Sequence, residues 1–133
     1  MSERNKAAAR TVFSVWNTGD LSRLDEIIAP DAVHHDPYDP HGSEGLAGLK
    51  KSIESSRRLY PDLHIHVEDQ IAEGDRVATR WVAAMTRDGK PHRLAGITID
   101  RFKADKIVEA WRSMDMLSLV RAEKADPPRH TDA

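Results

Sequence analysis

The chain has no cysteine. Disulfides, thiol nucleophiles, iron–sulfur clusters and cysteine-ligated zinc are therefore excluded, and any chemistry falls to histidines, carboxylates, hydroxyls and backbone. It also lacks an excess of either charge: 20 Lys and Arg stand against 22 Asp and Glu, a formal charge of -2. Such a balance gives no sign of a nucleic-acid groove or a polyanionic partner. No apolar run approaches the roughly 20 residues of a membrane-spanning helix, and Met1-Ser-Glu-Arg-Asn-Lys6 lacks the apolar stretch of a secretory signal. The expected compartment is the cytoplasm, with no membrane partner. Gly42-Ser-Glu-Gly45 has neither the spacing nor the strand context of a phosphate loop, and no Ser-His-Asp order stands out. There is no internal repeat.

What is present fits one domain. A length of 133 residues supports a single core and not two. Ala8, Ala9, Val12, Phe13 and Trp16 recur at three- and four-residue intervals, which predicts a helix ending near Asn17-Thr-Gly-Asp20. Asp20 is placed to cap a second helix whose stripe is Leu21, Leu24, Ile27 and Ile28. Ala32 to Asp36 is a short strand candidate and 36–45 a proline-containing loop. Leu46, Leu49, Ile53 and Tyr60 predict a third helix. After Leu63 the period falls to two, and glycine turns at Glu73-Gly-Asp75 and Arg87-Asp-Gly-Lys90 divide strands at about 63–73, 76–86, 92–103 and 106–115. The expectation is an α+β domain over 1–122: a curved antiparallel sheet whose concave face is covered by the N-terminal helices, a cone with one internal pocket. Residues 123–133, polar and proline-containing, are expected to be disordered.

A turn at Ala104-Asp105 pairs Lys103 with Lys106, and regular pairing from there sets Asp100 opposite Glu109, Thr98 opposite Trp111 and Leu94 opposite Asp115. Carried across the Asp88-Gly89 turn, the same face gains His92 opposite Met85 and Gly96 opposite Trp81. This face is expected to line the pocket. The other face holds Val82, Ala84, Ala95, Ile97, Ile99, Val108 and Ala110 with Arg80, Arg93, Arg101 and Arg112. It is too apolar to be left to water, so a homodimer through this convex face is expected. A one-residue slip would exchange the two faces.

Asp115, at a strand end beside Trp111, would lose hydration and serve as an acid/base, or else cap the turn Met116-Leu-Ser-Leu119 and do no chemistry. His34, His35, Asp36 and His41 are the densest set of potential metal ligands. Adjacent strand residues point to opposite sides, however, so only one of His34 and His35 can reach the pocket, and no metal is expected. His92 and Asp100 are further pocket groups, whereas Glu109 suits an ion pair. Trp16, Tyr60, Trp81, Met85 and Trp111, with Phe13, form either a wall for a planar ligand or plain core.

Five segments resemble the SnoaL-like polyketide cyclase family, within the group sharing the nuclear transport factor 2 and ketosteroid isomerase fold. They are Val15-Trp-Asn-Thr-Gly-Asp-Leu21, Ile28-Ala-Pro-Asp-Ala-Val-His-His-Asp36, Gly48-Leu-Lys50 ahead of Tyr60-Pro-Asp62, Gly74-Asp-Arg-Val-Ala-Thr-Arg-Trp81, and Gly96-Ile97 through Asp115. The resemblance implies a cofactor-free, metal-free aldol-type ring closure on a small hydrophobic carbonyl compound, with an aspartate at the place of Asp115 as acid/base. His35 and His92 would then assist at the carbonyl oxygen. Trp16, His34, Tyr60, Trp81, Met85, Gly96, Thr98, Asp100 and Trp111 would bind substrate. Isomerase or hydratase chemistry, or ligand binding without turnover, are the alternatives the same pocket supports. The hairpin turn carries Asp105 where similar proteins commonly have glycine, at a small cost in strain.

Overall fold

The computed structural model describes residues 2–39 and 44–116. Helix α1 spans Ser2–Thr18 and buries Ala9, Phe13 and Trp16 of the predicted stripe, together with Val15, while Ala8 and Val12 are partly buried against the core. The second segment departs from expectation. It is a single 3-10 helix, Leu21–Glu26, whose Asp20 makes no capping bond to the helix amides; the Asp20 carboxylate accepts instead from Ser22 Oγ at 2.7 Å. Ile28 is already the first residue of strand β1, Ile28–His35. Helix α2 follows at Gly45–Leu59, then β2 at His64–Glu73, β3 at Arg76–Arg87, β4 at Lys90–Lys103 and β5 at Lys106–Met114.

The sheet order is β1-β5-β4-β3-β2. Strands β2 to β5 form the expected antiparallel meander, and β1 joins its edge parallel to β5. Pro30 is tolerated there because an edge strand leaves one row of backbone donors unpaired. Helix α1 lies against β2 and β3, and α2 against β1. Asn17 fixes the end of α1: its side-chain amide donates to Ile65 O at 2.9 Å and its carbonyl accepts from Ile65 N at 2.7 Å. Arg57 of α2 donates to the carbonyls of Trp16 and Asn17, at 3.0 and 2.8 Å. Both helices are thus tied to one end of the sheet, with Trp16 held over its inner face.

The β3–β4 register is the expected one, with Trp81 opposite Gly96 and Met85 opposite His92. The β4–β5 register is not. Lys103 pairs with Lys106 and Phe102 with Ile107, but Arg101 then pairs with Glu109, so Val108 is an extra residue, a β-bulge. From that point every β5 side chain lies on the face opposite to the expected one. Asp100 faces Ala110, Thr98 faces Arg112 and Gly96 faces Met114. Ala110 and Arg112, expected outside, lie inside; Glu109 and Trp111, expected inside, lie outside. Asp115 is exposed, with its amide bonded to Ala95 O at 3.0 Å. The helix cap proposed for it involves 117–119, outside the described residues, as do His41, Gly42 and the tail. Among the described residues no helix is long and apolar enough to cross a membrane.

Candidate active site

The inner face of the sheet and the two helices line an open-mouthed cavity of about 420 Å³. Its apolar wall includes Phe13, Trp16, Tyr60, Leu63, Ile65, Trp81, Met85, Leu94 and Met114; its polar end is formed by Asp36, Asp39, Ser52 and Arg112. Trp81 owes its position to two neighbours. Its indole Nε1 donates to Thr98 Oγ1 at 3.0 Å, and its ring lies where a Cβ on Gly96 would be, closer than any real contact. Glycine is therefore required at 96 for the indole to lie flat on the sheet. Tyr60 is held from outside by Arg87, whose guanidinium lies 5.7 Å from the ring centroid.

Next to this cavity, and sharing Phe13, Trp16, Asp36, Asp39 and Arg112 with it, lies a pit of about 20 Å³ that adds His34, Thr98, Asp100 and Ala110. Three adjacent strands make it. His34 on β1 is paired with Ala110 on β5, which is paired with Asp100 on β4. The methyl of Ala110 leaves open the gap between the imidazole on one side and the carboxyl on the other. Arg112, one inward position along β5, stands at the junction of pit and cavity; it donates to Asp36 Oδ2 at 3.2 Å and lies 5.1 Å over the Trp16 ring. Asp36 also accepts from Tyr38 N at 2.9 Å, and Asp39 accepts from Ser52 Oγ at 2.7 Å, so the turn after β1 is anchored to α2.

Burial dominates the electrostatics. Asp100 is 5% exposed, and loss of hydration pushes its carboxyl up to about 7 against the opposing pull of Arg112. The same loss of hydration, helped by Arg112, lowers His34 to about 4, so its ring is neutral near pH 7. Among the described residues His34 Nδ1 is the buried side-chain nitrogen or oxygen with no hydrogen-bond partner. The pit therefore brings together a carboxyl that can give or take a proton near neutrality, a neutral imidazole and a fixed cation.

Of the expected site residues, the structure brings together Trp16, His34, Tyr60, Trp81, Met85, Gly96, Thr98 and Asp100 on the inner face. His92 is on that face opposite Met85, beyond the residues that line the cavity. Trp111 and His35 are on the outer face, where their rings stack at 5.4 Å and Arg76 covers the indole at 5.1 Å. His35 touches the pit lining, but its Nε2 lies 2.8 Å from Glu109 Oε2, and Glu109 also accepts from Arg101 at 3.0 Å. The sequence reading missed Arg112, Ala110, Asp39 and Ser52. The signal for the first two was the consecutive apolar pair Ile107-Val108, which breaks the alternation and marks a bulge. Among the described residues no group of three His, Asp or Glu is arranged to hold a metal.

A mixed sheet wrapped on one face by N-terminal helices, with an apolar cavity beside buried ionisable groups, matches the nuclear transport factor 2-like fold class. Within it, the family model for SnoaL-like polyketide cyclases matches residues 6–122, and the chain belongs to that family. Among solved structures it is similar to a loop-truncated variant of IdmH, with 31% identity, a TM-score of 0.77, and 87% of this chain and 96% of that one covered. It is likewise similar to wild-type IdmH from Streptomyces antibioticus, at 28% identity and TM-score 0.78 over 91% and 99% of the two chains. TsrD from Streptomyces laurentii, at 21% identity and TM-score 0.81 over 91% and 95%, shares the fold. No match was found among curated proteins.

Proposed function

We propose that this protein binds a small hydrophobic, polyketide-like carbonyl compound in the cavity and catalyses proton transfer at the carbon beside the carbonyl, leading to aldol-type ring closure. The observation that carries the reading is the buried Asp100 carboxyl, poised at about 7, in the pit that adjoins the apolar cavity, with the Arg112 cation at their junction. The apolar wall would hold the body of the ligand and the Arg112 guanidinium its carbonyl oxygen. Asp100 as carboxylate takes the α-proton, and Arg112 stabilises the enolate oxygen. When the α-carbon attacks a second carbonyl, the protonated Asp100 returns the proton to the new alkoxide. One group serves as base and then acid because its pKa lies near the working pH.

In this reading Asp100 takes the part expected of Asp115, and Arg112 the part at the carbonyl oxygen expected of His35 and His92. The bulge is what supports the exchange, since it turns the β5 side chains past Val108 over. The homodimer expectation is retained: Ile97 is 46% and Val33 43% exposed on or beside the outer face, and a sedimenting species of dimer mass at micromolar concentration is the expected result.

The deciding experiment is hydrogen–deuterium exchange at the α-carbon of a small aryl ketone such as benzylacetone, followed by NMR. Asp100→Asn should slow enzyme-dependent exchange by about 10² to 10⁴ fold. An unchanged rate in that variant would refute the mechanism, and ligand binding without exchange in the wild type would make the domain a binding module.

A further inference from the structure

The pit is too small for a ligand carbon skeleton. At about 20 Å³ it has room for one water molecule, whose minimum on such a measure is about 10–15 Å³. Its walls are apolar on several sides, through Ile28, Ile107 and Ala110, and polar where it matters: the buried His34 Nδ1 lacks a hydrogen bond among the described residues, and the Asp100 carboxyl lies two strands away across Ala110. A water needs two to four polar partners to be held in a buried site. His34 Nδ1, Asp100 and Thr98 can supply them, and a water bonded to Nδ1 removes the cost of leaving that nitrogen unsatisfied.

We propose that the pit seats a single water between His34 Nδ1 and the Asp100 carboxyl, and that the site adds this water to the β-carbon of an α,β-unsaturated ketone lying in the main cavity, or removes it in the reverse direction. The proposal rests on the reading of Asp100 and Arg112 given above. As the water oxygen bonds to the β-carbon, its proton passes to the Asp100 carboxylate, the π pair of the C=C bond shifts to form the enolate double bond, and the carbonyl π pair moves onto the oxygen beside Arg112. The enolate then takes the same proton from Asp100 at its α-carbon. The carboxylate is restored, one water has been added across the double bond, and nothing is oxidised or reduced. His34 orients the water through Nδ1 and gains no proton. Run backwards, the sequence dehydrates a β-hydroxy ketone, which is the kind of product an aldol closure makes. The pit would then receive the water that such a product sheds, and the direction observed is set by the equilibrium of the substrate.

The test uses the whole protein with two probes. Benzylacetone in deuterium oxide reports α-proton transfer. Benzylideneacetone in ¹⁸O-labelled water reports hydration, read by mass spectrometry as label in the hydroxyl of the β-hydroxy ketone, since the carbonyl oxygen exchanges unaided. The expected result is enzyme-dependent label in the hydroxyl. Ala110→Val, whose added methyls take up the volume of the water, should lower that incorporation on the order of 10² fold, as a displaced reactant does. Exchange of benzylacetone without label in the hydroxyl would overturn the water seat and leave the proton-transfer reading standing. Absence of both would overturn both. Hydration undiminished in a folded Ala110→Val variant would also overturn the seat, and should that variant not fold, the wild-type label decides.

Discussion

The two faces of the sheet carry nearly the same set of side chains a few ångströms apart. Inside are His34, Asp100 and Arg112; outside are His35, Glu109 and Arg101. On the outer face charge is met by direct pairing. Glu109 lies 2.8 Å from His35 and 3.0 Å from Arg101, and those bonds hold its carboxyl below the usual range. On the inner face water is excluded before pairing is complete, so Asp100 rises to about 7 and His34 falls to about 4. A paired surface carboxylate is chemically quiet at neutral pH. A buried one whose protonated and charged forms are nearly balanced can exchange its proton.

The sharpest way to break the comparison is to remove one carboxyl from each face. Asp100→Asn should abolish most enzyme-dependent α-exchange, by about 10² to 10⁴ fold, whereas Glu109→Gln should leave the exchange rate of benzylacetone at the wild-type value. Equal losses in the two variants would mean that the faces are not distinct in function.

The next largest effect is on stability. The Asp100 pKa is raised from 3.8 to about 7, so the folded state holds this proton more tightly than the unfolded chain. The advantage is complete below pH 3.8 and is lost as pH rises through about 7, a change of about 4 kcal/mol for three pKa units. His34 is shifted the other way: its neutral form is favoured on folding, so its contribution is lost as pH falls from 6.5 through about 4. The contributions of these two groups oppose each other between pH 4 and 6.5 and nearly cancel there. In urea unfolding, the stability of Asp100→Asn relative to wild type should therefore climb by about 4 kcal/mol between pH 4 and 7.5. A difference that does not vary with pH would show that Asp100 titrates as an ordinary carboxylate.

Smaller effects test the supports of each face. Gly96→Ala should cost about 1 to 3 kcal/mol, because the Cβ must displace the Trp81 indole, and the shifted ring should show as a change in tryptophan emission. Ala104→Gly should instead stabilise by about 1 kcal/mol, since Ala104 at φ 52° and Asp105 at φ 67° both occupy the left-handed region in the β4–β5 turn. Thermal melts of the two variants should move in opposite directions.

Much of this molecule is legible in local order. The stripe through Ala9, Phe13 and Trp16 is the buried face of α1, and alternation with glycine turns gives β2, β3 and β4 within a few residues. The Asp88-Gly89 turn fixes the pairing of Trp81 with Gly96, because a tight turn transmits register directly. Leu21 to Ile28 departs from the helix its spacing predicts because the stripe Leu21, Leu24, Ile27 and Ile28 also suits a 3-10 turn that runs into a strand. The parallel pairing of β1 with β5 joins residues far apart in sequence and has no local signature.

By itself, then, the sequence determined the meander, the covering helices, the chemical inventory and the inner face of β3 and β4, all of which follow from periodicity and short turns. Only the tertiary structure decided which ionisable groups share the site. One extra residue at Val108 turned the last strand over, carrying Arg112 and Ala110 inward and Trp111 outward, and β1 closed the sheet beside them with His34 facing in. The physical reason is that side chains in a strand alternate with a period of two. A single bulge, marked in the sequence only by the adjacent apolar pair Ile107-Val108, reverses every assignment that follows it.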